Sequence, residues 1–163
     1  MNQVYIAENF ISPQYCQTLI DFFEQYRTDH AFQFSDRLNI QIDYLFQSMG
    51  NDDYHHDVDY LKKIYSKISQ HMSKIDPDCF INYAHLVRRD KGASQSSHVD
   101  FDYHTWTSIL YLNTDFEGGQ TRIENELLQP ELGSLVTFQG NCLEHEVLPV
   151  TEGSRYTVLV WYK

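Results

Sequence analysis

A mostly β protein with helices packed on one sheet is the fold class that this sequence predicts. Two observations carry the prediction. Amphipathic helical patterns are confined to the first 78 residues, and only short apolar runs separated by turn residues follow them. Closely spaced strands with turn signals indicate a sandwich or barrel, and helices grouped ahead of them back one of its sheets.

The elements follow in order. Residues 4–11 read as a short strand leading into a turn. Ser12 suits an N-cap and Pro13 the first helical position. Tyr15, Leu19, Ile20, Phe22, Phe23 and Tyr26 then recur at helical spacing, predicting a helix over 13–26 whose aromatic face packs on the sheet. Residues 37–46, RLNIQIDYLF, alternate and predict a strand. SMGNDDYHHDVDY reads as an acidic, turn-rich loop, in which His55 and His56 are either exposed polar residues or a second metal site. Val58, Leu61, Ile64, Tyr65, Ile68, Met72 and Ile75 mark a second helix, with Lys62, Lys63, Lys67 and Lys74 off the apolar stripe and Pro77 ending it. Strands are expected at 80–88, 105–112, 119–124, 133–138, 143–150 and 154–162.

Composition narrows the function classes. A chain of 163 residues with 42% hydrophobic and 15% aromatic content suits one domain with one core. No apolar run approaches a membrane span, and the N-terminus lacks the basic and apolar regions of a signal peptide, so a cytoplasmic protein is expected. Cys16, Cys79 and Cys142 are scattered and odd in number, which suits free thiols in a reducing compartment. A net charge of −11 argues against nucleic-acid partners and favours a neutral or basic one.

The chemistry centres on His98-Val99-Asp100. Residues i and i+2 of an extended segment share a face, so His98 and Asp100 can present two ligands to one point. His145 is the candidate third ligand, sharing an inward face with Leu143 and Val147. Two His and one carboxylate with open positions form the facial triad of non-heme Fe(II) oxygenases. Asp102 and His104 continue the same parity and are rival ligands by spacing. Arg155 shares a face with Thr157, Leu159 and Trp161, and a buried guanidinium there requires an anion. Tyr111 shares inward parity with Thr107 and Ile109, and Gly118-Gly119 makes a tight turn with Thr121 inward after it.

The ordered motifs SHVDFDYHTWTSILYLN, EGGQTRI, GSLVTFQG and EHEVLPVTEGSRYTVLVWY, with YIAENFISPQYCQTLIDFFEQY ahead of them, carry a resemblance. The chain resembles the Fe(II)- and 2-oxoglutarate-dependent dioxygenases of the prolyl 4-hydroxylase-like branch, closely over 80–163. The resemblance implies a double-stranded β-helix, or jelly-roll, at about 79–163 with helical support at about 1–78 in a single domain. It implies Fe(II) on His98, Asp100 and His145, and 2-oxoglutarate held by Arg155 and Tyr111. O₂ would be consumed, succinate and CO₂ released, and ascorbate used as a further cofactor. The implied substrate is peptidyl, by default prolyl, or a small molecule. Many relatives carry a Tyr about ten residues before the first ligand, whereas this chain reads HLVRRDKG there, and Tyr83 does not align. A segment N-terminal to the barrel often folds over the substrate in this branch. If residues 47–59 do so here, Asp43, Asp52, Asp53, Asp57, Asp59 and Asp102 give an acidic mouth suited to a neutral or basic substrate and not to DNA or RNA. The alternatives are a cupin-like metal-binding module and a catalytically silent jelly-roll interaction domain.

Overall fold

Two facing β-sheets hold the site between them, and the helices cover the far side of the larger one. The structure is a computed structural model that describes residues 3–48, 55–129 and 131–163, with backbone alone for 46–48 and 55–57. In chain order the elements are β1 (Val4–Ala7), α1 (Pro13–His30), β2 (Phe32–Phe34), β3 (Arg37–Gln41), α2 (Ile42–Ser48), α3 (His55–Ile75), β4 (Ile81–Asp90) and β5 (Gln95–His98). They continue with β6 (Trp106–Tyr111), β7 (Glu117–Gly118), β8 (Thr121–Ile123), β9 (Glu126–Leu128), β10 (Leu135–Phe138), β11 (His145–Val147), β12 (Val150–Glu152) and β13 (Ser154–Tyr162).

The major sheet runs β1-β10-β6-β13-β4-β3-β2, and the minor sheet runs β5-β11-β8-β9. Every pairing is antiparallel. Residues 1–78 therefore supply three strands of the major sheet as well as helices. The helix starts where Ser12 Oγ accepts from the Tyr15 backbone N–H at 3.1 Å, with Pro13 at the position whose N–H is not needed. It runs four residues past the predicted end, to His30.

The alternation of side chains along the long strands splits the core in two. Leu86, Leu110, Val158, Val160 and Tyr162 face the helices and pack with Leu19, Phe23, Leu61, Ile64 and Ile68. Val87, Ile109, Tyr111, Val136, Phe138 and Leu159 face the other way and pack with Ile123 and Leu143 of the minor-sheet side. This second, smaller core is the interior of the jelly-roll.

The strand predicted at 37–46 is a correction. It is a strand only to Gln41, and α2 begins at Ile42. Ile42 and Leu45, one helical turn apart, are both buried, and this burial against β3 and β4 outweighs the alternation of the sequence. Of the predicted acidic loop, Ser48 belongs to α2 and residues 55–60 to α3, and residues 49–54 lie outside the described residues, as do the side chains of His55 and His56. Among the described residues, no helix is long and apolar enough to cross a membrane.

Candidate active site

His98 and His145 meet because their strands pair. The register of β5 against β11 sets His98 directly opposite His145, with ring centroids 4.3 Å apart. Each ring is fixed by the same local device. His98 Nδ1 lies 2.8 Å from the carbonyl of Ser96, and His145 Nδ1 lies 2.9 Å from the carbonyl of Leu143. A carbonyl only accepts, so each Nδ1 carries the proton and each Nε2 is left with a free lone pair. Phe138 braces His145 edge-on at 4.8 Å between centroids.

Asp100 lies just past the end of β5. Its backbone N–H donates to the carbonyl of Gly140 at 2.8 Å, which keeps the segment extended beyond His98. Its Oδ1 stands 3.6 Å from both His Nε2 atoms, and its Oδ2 accepts from the Thr107 hydroxyl. Gly140 is required here, since a Cβ would collide with Asp100 Oδ2 and Thr107 Oγ1. Burial raises the Asp100 carboxyl, but His145, His98 and the Thr107 hydroxyl outweigh it and hold the group well below the usual carboxylate range. The partnership with Asp100 in turn raises His98 against the opposing effect of burial.

The three donor atoms lie within 4.8 Å of one another, a grouping that can hold a metal ion. The rivals by spacing do not join them. Asp102 is exposed, and His104 Nε2 is engaged by Asn82 Nδ2 at 2.9 Å.

The triad lies in the wall of a cavity of about 440 Å³. Ile109, Phe138, Val147, Leu159 and Trp161 supply apolar wall, while Arg37 and Arg89 also line it. Tyr83, set aside at the sequence level for failing to align, lines it too.

Arg155, Tyr111 and Thr121 form a separate buried cluster outside the cavity lining, between the same two sheets. Arg155 is 1% exposed. Its Nη2 donates to Thr121 Oγ1 at 3.1 Å, and Thr121 shares a 2.7 Å hydrogen bond with the Tyr111 hydroxyl. The guanidinium carbon stands 5.4 Å from the Tyr111 ring centroid. Gly118 and Gly119 both adopt positive φ, and a Cβ on Gly119 would press on Arg155 Cδ at 3.2 Å. The tight turn thus makes room for the arginine. Arg155 has no carboxylate partner among the described residues, and its Nε has no hydrogen-bond acceptor. Thr157 Oγ1 beside it on β13 is likewise buried and unpartnered. His145 stands on the minor sheet and Arg155 on the major one.

Sequence reasoning missed three contributors. Thr107, on the next strand, and Gly140, in the chain after β10, position Asp100, and no local pattern marks that. Arg89 was visible only as a departure from the expected Tyr.

Solved structures share this architecture. A prolyl-4-hydroxylase of Pseudomonas putida superposes with a TM-score of 0.79 at 18% identity, over 100% of this chain and 93% of that one. A Trichoplax adhaerens prolyl hydroxylase, in complex with a hypoxia inducible factor peptide fragment, superposes with a TM-score of 0.75 at 18% identity, over 99% of this chain and 84% of that one. Among curated proteins, prolyl 3-hydroxylase 1 of Homo sapiens is 27% identical, over 59% of this chain and 18% of that protein. The chain thus spans less than a fifth of the length of the prolyl 3-hydroxylases of this kind that it matches. Residues 82–163, which carry the two histidines, the aspartate and the buried arginine, match the 2OG-Fe(II) oxygenase superfamily, and the chain belongs to that family.

Proposed function

We propose that this chain is a hydroxylase in which His98, Asp100 and His145 hold Fe(II), and Arg155 with Tyr111 holds the distal carboxylate of 2-oxoglutarate. The observation that carries this reading is the convergence of two Nε2 lone pairs and one carboxylate oxygen at a cavity wall. The residues present fit both groups. The donor set is two neutral imidazoles and a carboxylate, which suits Fe(II). The unpartnered Nε of the buried Arg155 fits a carboxylate, which guanidinium grips with two parallel hydrogen bonds.

Bound together, Fe(II) and 2-oxoglutarate supply the O₂-dependent chemistry that couples release of succinate and CO₂ to hydroxylation of a prime substrate. The chain's own residues prepare that chemistry. Ser96 and Leu143 fix the imidazole orientation through their carbonyls. Thr107 occupies one oxygen of Asp100 and leaves the other toward the two histidines. Tyr111 and Thr121 orient the arginine and are themselves donors for the same carboxylate. Ile109, Phe138 and Leu159 keep the floor of the cavity apolar, which strengthens each polar contact made there.

The prime substrate in this reading is a peptidyl residue, by default proline, or a small molecule. The names of the relatives support prolyl chemistry, and the Trichoplax complex supports a peptide. Residues 1–163 read as one domain, supported by β1, β2 and β3 pairing within the sheet that also carries Arg155. Ascorbate as an accessory reductant and a cytoplasmic setting belong to the same proposal, the second supported by three free cysteines.

The test is anaerobic titration of the Fe(II)-loaded protein with 2-oxoglutarate, followed by the weak visible band of the complex. Arg155→Ala is expected to keep iron and weaken 2-oxoglutarate by several hundredfold, since losing one partner of a buried charge pair costs about 3–5 kcal/mol. Arg155→Lys is expected to lose less, because the sign of the charge is kept. Unchanged affinity in Arg155→Ala would remove the cosubstrate assignment.

A further inference from the structure

Three arginines cross the interior face of the major sheet in a row. In the pairing of β13 with β4, Arg155 is directly opposite Arg89. In the pairing of β3 with β4, Leu38 is opposite Arg88, which sets Arg37 and Arg89 on the next rung. The neighbour in sequence shows what an ordinary arginine does in this fold. Arg88 points to the helix side and is met by Glu24 at 2.8 Å and Asp90 at 2.7 Å. Arg89 points inward, is 2% exposed and lines the cavity. Its Nη1 donates to the Ser94 carbonyl at 3.3 Å, and its Nε has no acceptor among the described residues. Arg37 lines the same cavity with its guanidinium 5.2 Å from the Phe34 ring centroid and 5.4 Å from that of Trp161. Its Nε is also buried and unpartnered. Neither Arg37 nor Arg89 is paired with a carboxylate among the described residues.

Among the described residues the charges of the site do not close without another anion, since Asp100 acts on Arg37 and Asp36 on Arg89 only at a distance and neither forms an ion pair. In the function proposed above, on which this inference rests, Fe(II), Asp100, the 2-oxoglutarate dianion and Arg155 sum to neutrality. Arg37 and Arg89 remain as two positive charges in a largely apolar pocket, where an unpaired charge is costly. Burial drags both guanidiniums below their ordinary range, and for Arg89 the neighbouring Arg155 and Arg37 add to the effect. Guanidinium does not give up its proton in proteins, so the strain is relieved by a counter-ion.

We propose that Arg37 and Arg89 form a second anion subsite that takes a carboxylate of the prime substrate. The substrate is therefore a carboxylate-bearing molecule of modest size, with an apolar body against Trp161, Phe34 and Leu159 on the cavity wall.

 The expectation of a neutral or basic substrate drew on Asp43, Asp52, Asp53, Asp57, Asp59 and Asp102, of which Asp52 and Asp53 lie outside the described residues and Asp57 is described by its backbone alone, whereas the described cavity wall carries Arg37 and Arg89.

The test is calorimetric titration of the full chain, held anaerobically with Fe(II) and saturating 2-oxoglutarate, with benzoate and with its uncharged isostere benzamide. Benzoate is expected to bind about ten- to a hundredfold tighter, the range for one or two hydrogen bonds to a charged group. Arg89→Gln and Arg37→Gln are each expected to erase that preference while leaving 2-oxoglutarate affinity unchanged, and Arg37→Lys to keep most of it. Equal binding of acid and amide, or no binding of benzoate, would overturn the subsite. So would loss of 2-oxoglutarate affinity in either Gln variant, which would assign the two cations to the cosubstrate. The unmodified protein decides the matter alone where a variant does not fold. Repeating the titration with N-acetyl-aspartate N-methylamide against its asparagine counterpart separates the sources. A preference for the aspartate places the carboxylate on a peptide, and a preference confined to benzoate places it on a small acid. Binding of 2-oxoglutarate is read first in the same cell. Its absence would sink the function proposed above, while the benzoate preference, measured without cosubstrate, would still report on the arginines.

Discussion

Two histidines that spend their Nδ1 protons on backbone carbonyls have one atom each left to offer, and both offer it toward Asp100. That economy makes the residue-scale assignment sharp. Asp100 is held by a backbone N–H, a threonine hydroxyl and two imidazoles, whereas Asp102 two positions later is exposed. Asp100→Ala is accordingly expected to abolish saturable Fe(II) binding with the far-ultraviolet dichroism unchanged, and Asp102→Ala to leave iron binding as it was. Iron binding that survives the first change and fails in the second would mean that the ligand has been misassigned. Parity in sequence left Asp100, Asp102 and His104 equivalent. They are separated only by what their partners do in three dimensions, because Asn82 engages His104 from a strand 22 residues away in sequence. The buried arginine was legible because its alternating neighbours Thr157 and Leu159 are inward residues.

 The same alternation places Leu159 on the inner face, 7% exposed.

At the scale of elements, the site is assembled by strand register more than by any single loop. β5 and β11 bring the histidines together, while β6 contributes Thr107 and the chain after β10 contributes Gly140. Gly140 is the tightest of these constraints. Its carbonyl holds the Asp100 N–H, and the space where its side chain would be is filled by Asp100 Oδ2 and Thr107 Oγ1. Gly140→Ala is expected to push the carboxylate off its threonine partner and lower Fe(II) affinity about 10- to 100-fold, the usual cost of disturbing a group that orients a metal ligand. An iron titration of the folded variant checks this, and unchanged affinity would show that Asp100 tolerates the displacement. The sequence could reveal β6, β10 and β13, whose runs are apolar on both faces because helices lie on one side and the minor sheet on the other. It could not reveal β5, β7 or β9, which are short and carry polar or exposed residues, so that pairing partners define them and hydrophobic pattern does not. The helix α2 escaped detection for the opposite reason. Its Ile42 and Leu45 satisfy a helical spacing, but the alternation of Leu38, Ile40 and Ile42 runs straight into it.

Over the whole molecule, the histidines couple stability to pH in opposing directions. His85 on β4 is pushed down to about 4, first by burial and then by the Arg37 charge, against a smaller opposite pull from Asp43. His71 and His104 are also lowered, each chiefly by burial. For a group whose folded pKa is depressed, the unfolded chain takes up the proton first as pH falls. Its contribution to stability is therefore complete above the unfolded value near 6.5 and is lost between there and the folded value. For His85 the loss is at most about 3 kcal/mol, and less once solvent screening of a partly exposed ring is allowed for. His98 works the other way, since Asp100 raises it, and its contribution is present at low pH and lost as pH rises. Three depressed rings against one raised ring give a net loss on acidification. The metal-free protein, kept with a chelator, is expected to show a urea midpoint that falls from about pH 7 to about pH 5. His98→Ala removes the opposing contribution and is expected to steepen the fall. Replacing His85 by Gln, which cannot take up a proton, is expected to flatten it. A midpoint that is level or rises on acidification in the His98→Ala protein would mean that the buried rings are charged in the folded state, and that the pocket around His85 is far more hydrated than its packing against Trp161 and Phe32, with ring centroids at 5.3 and 5.8 Å, implies.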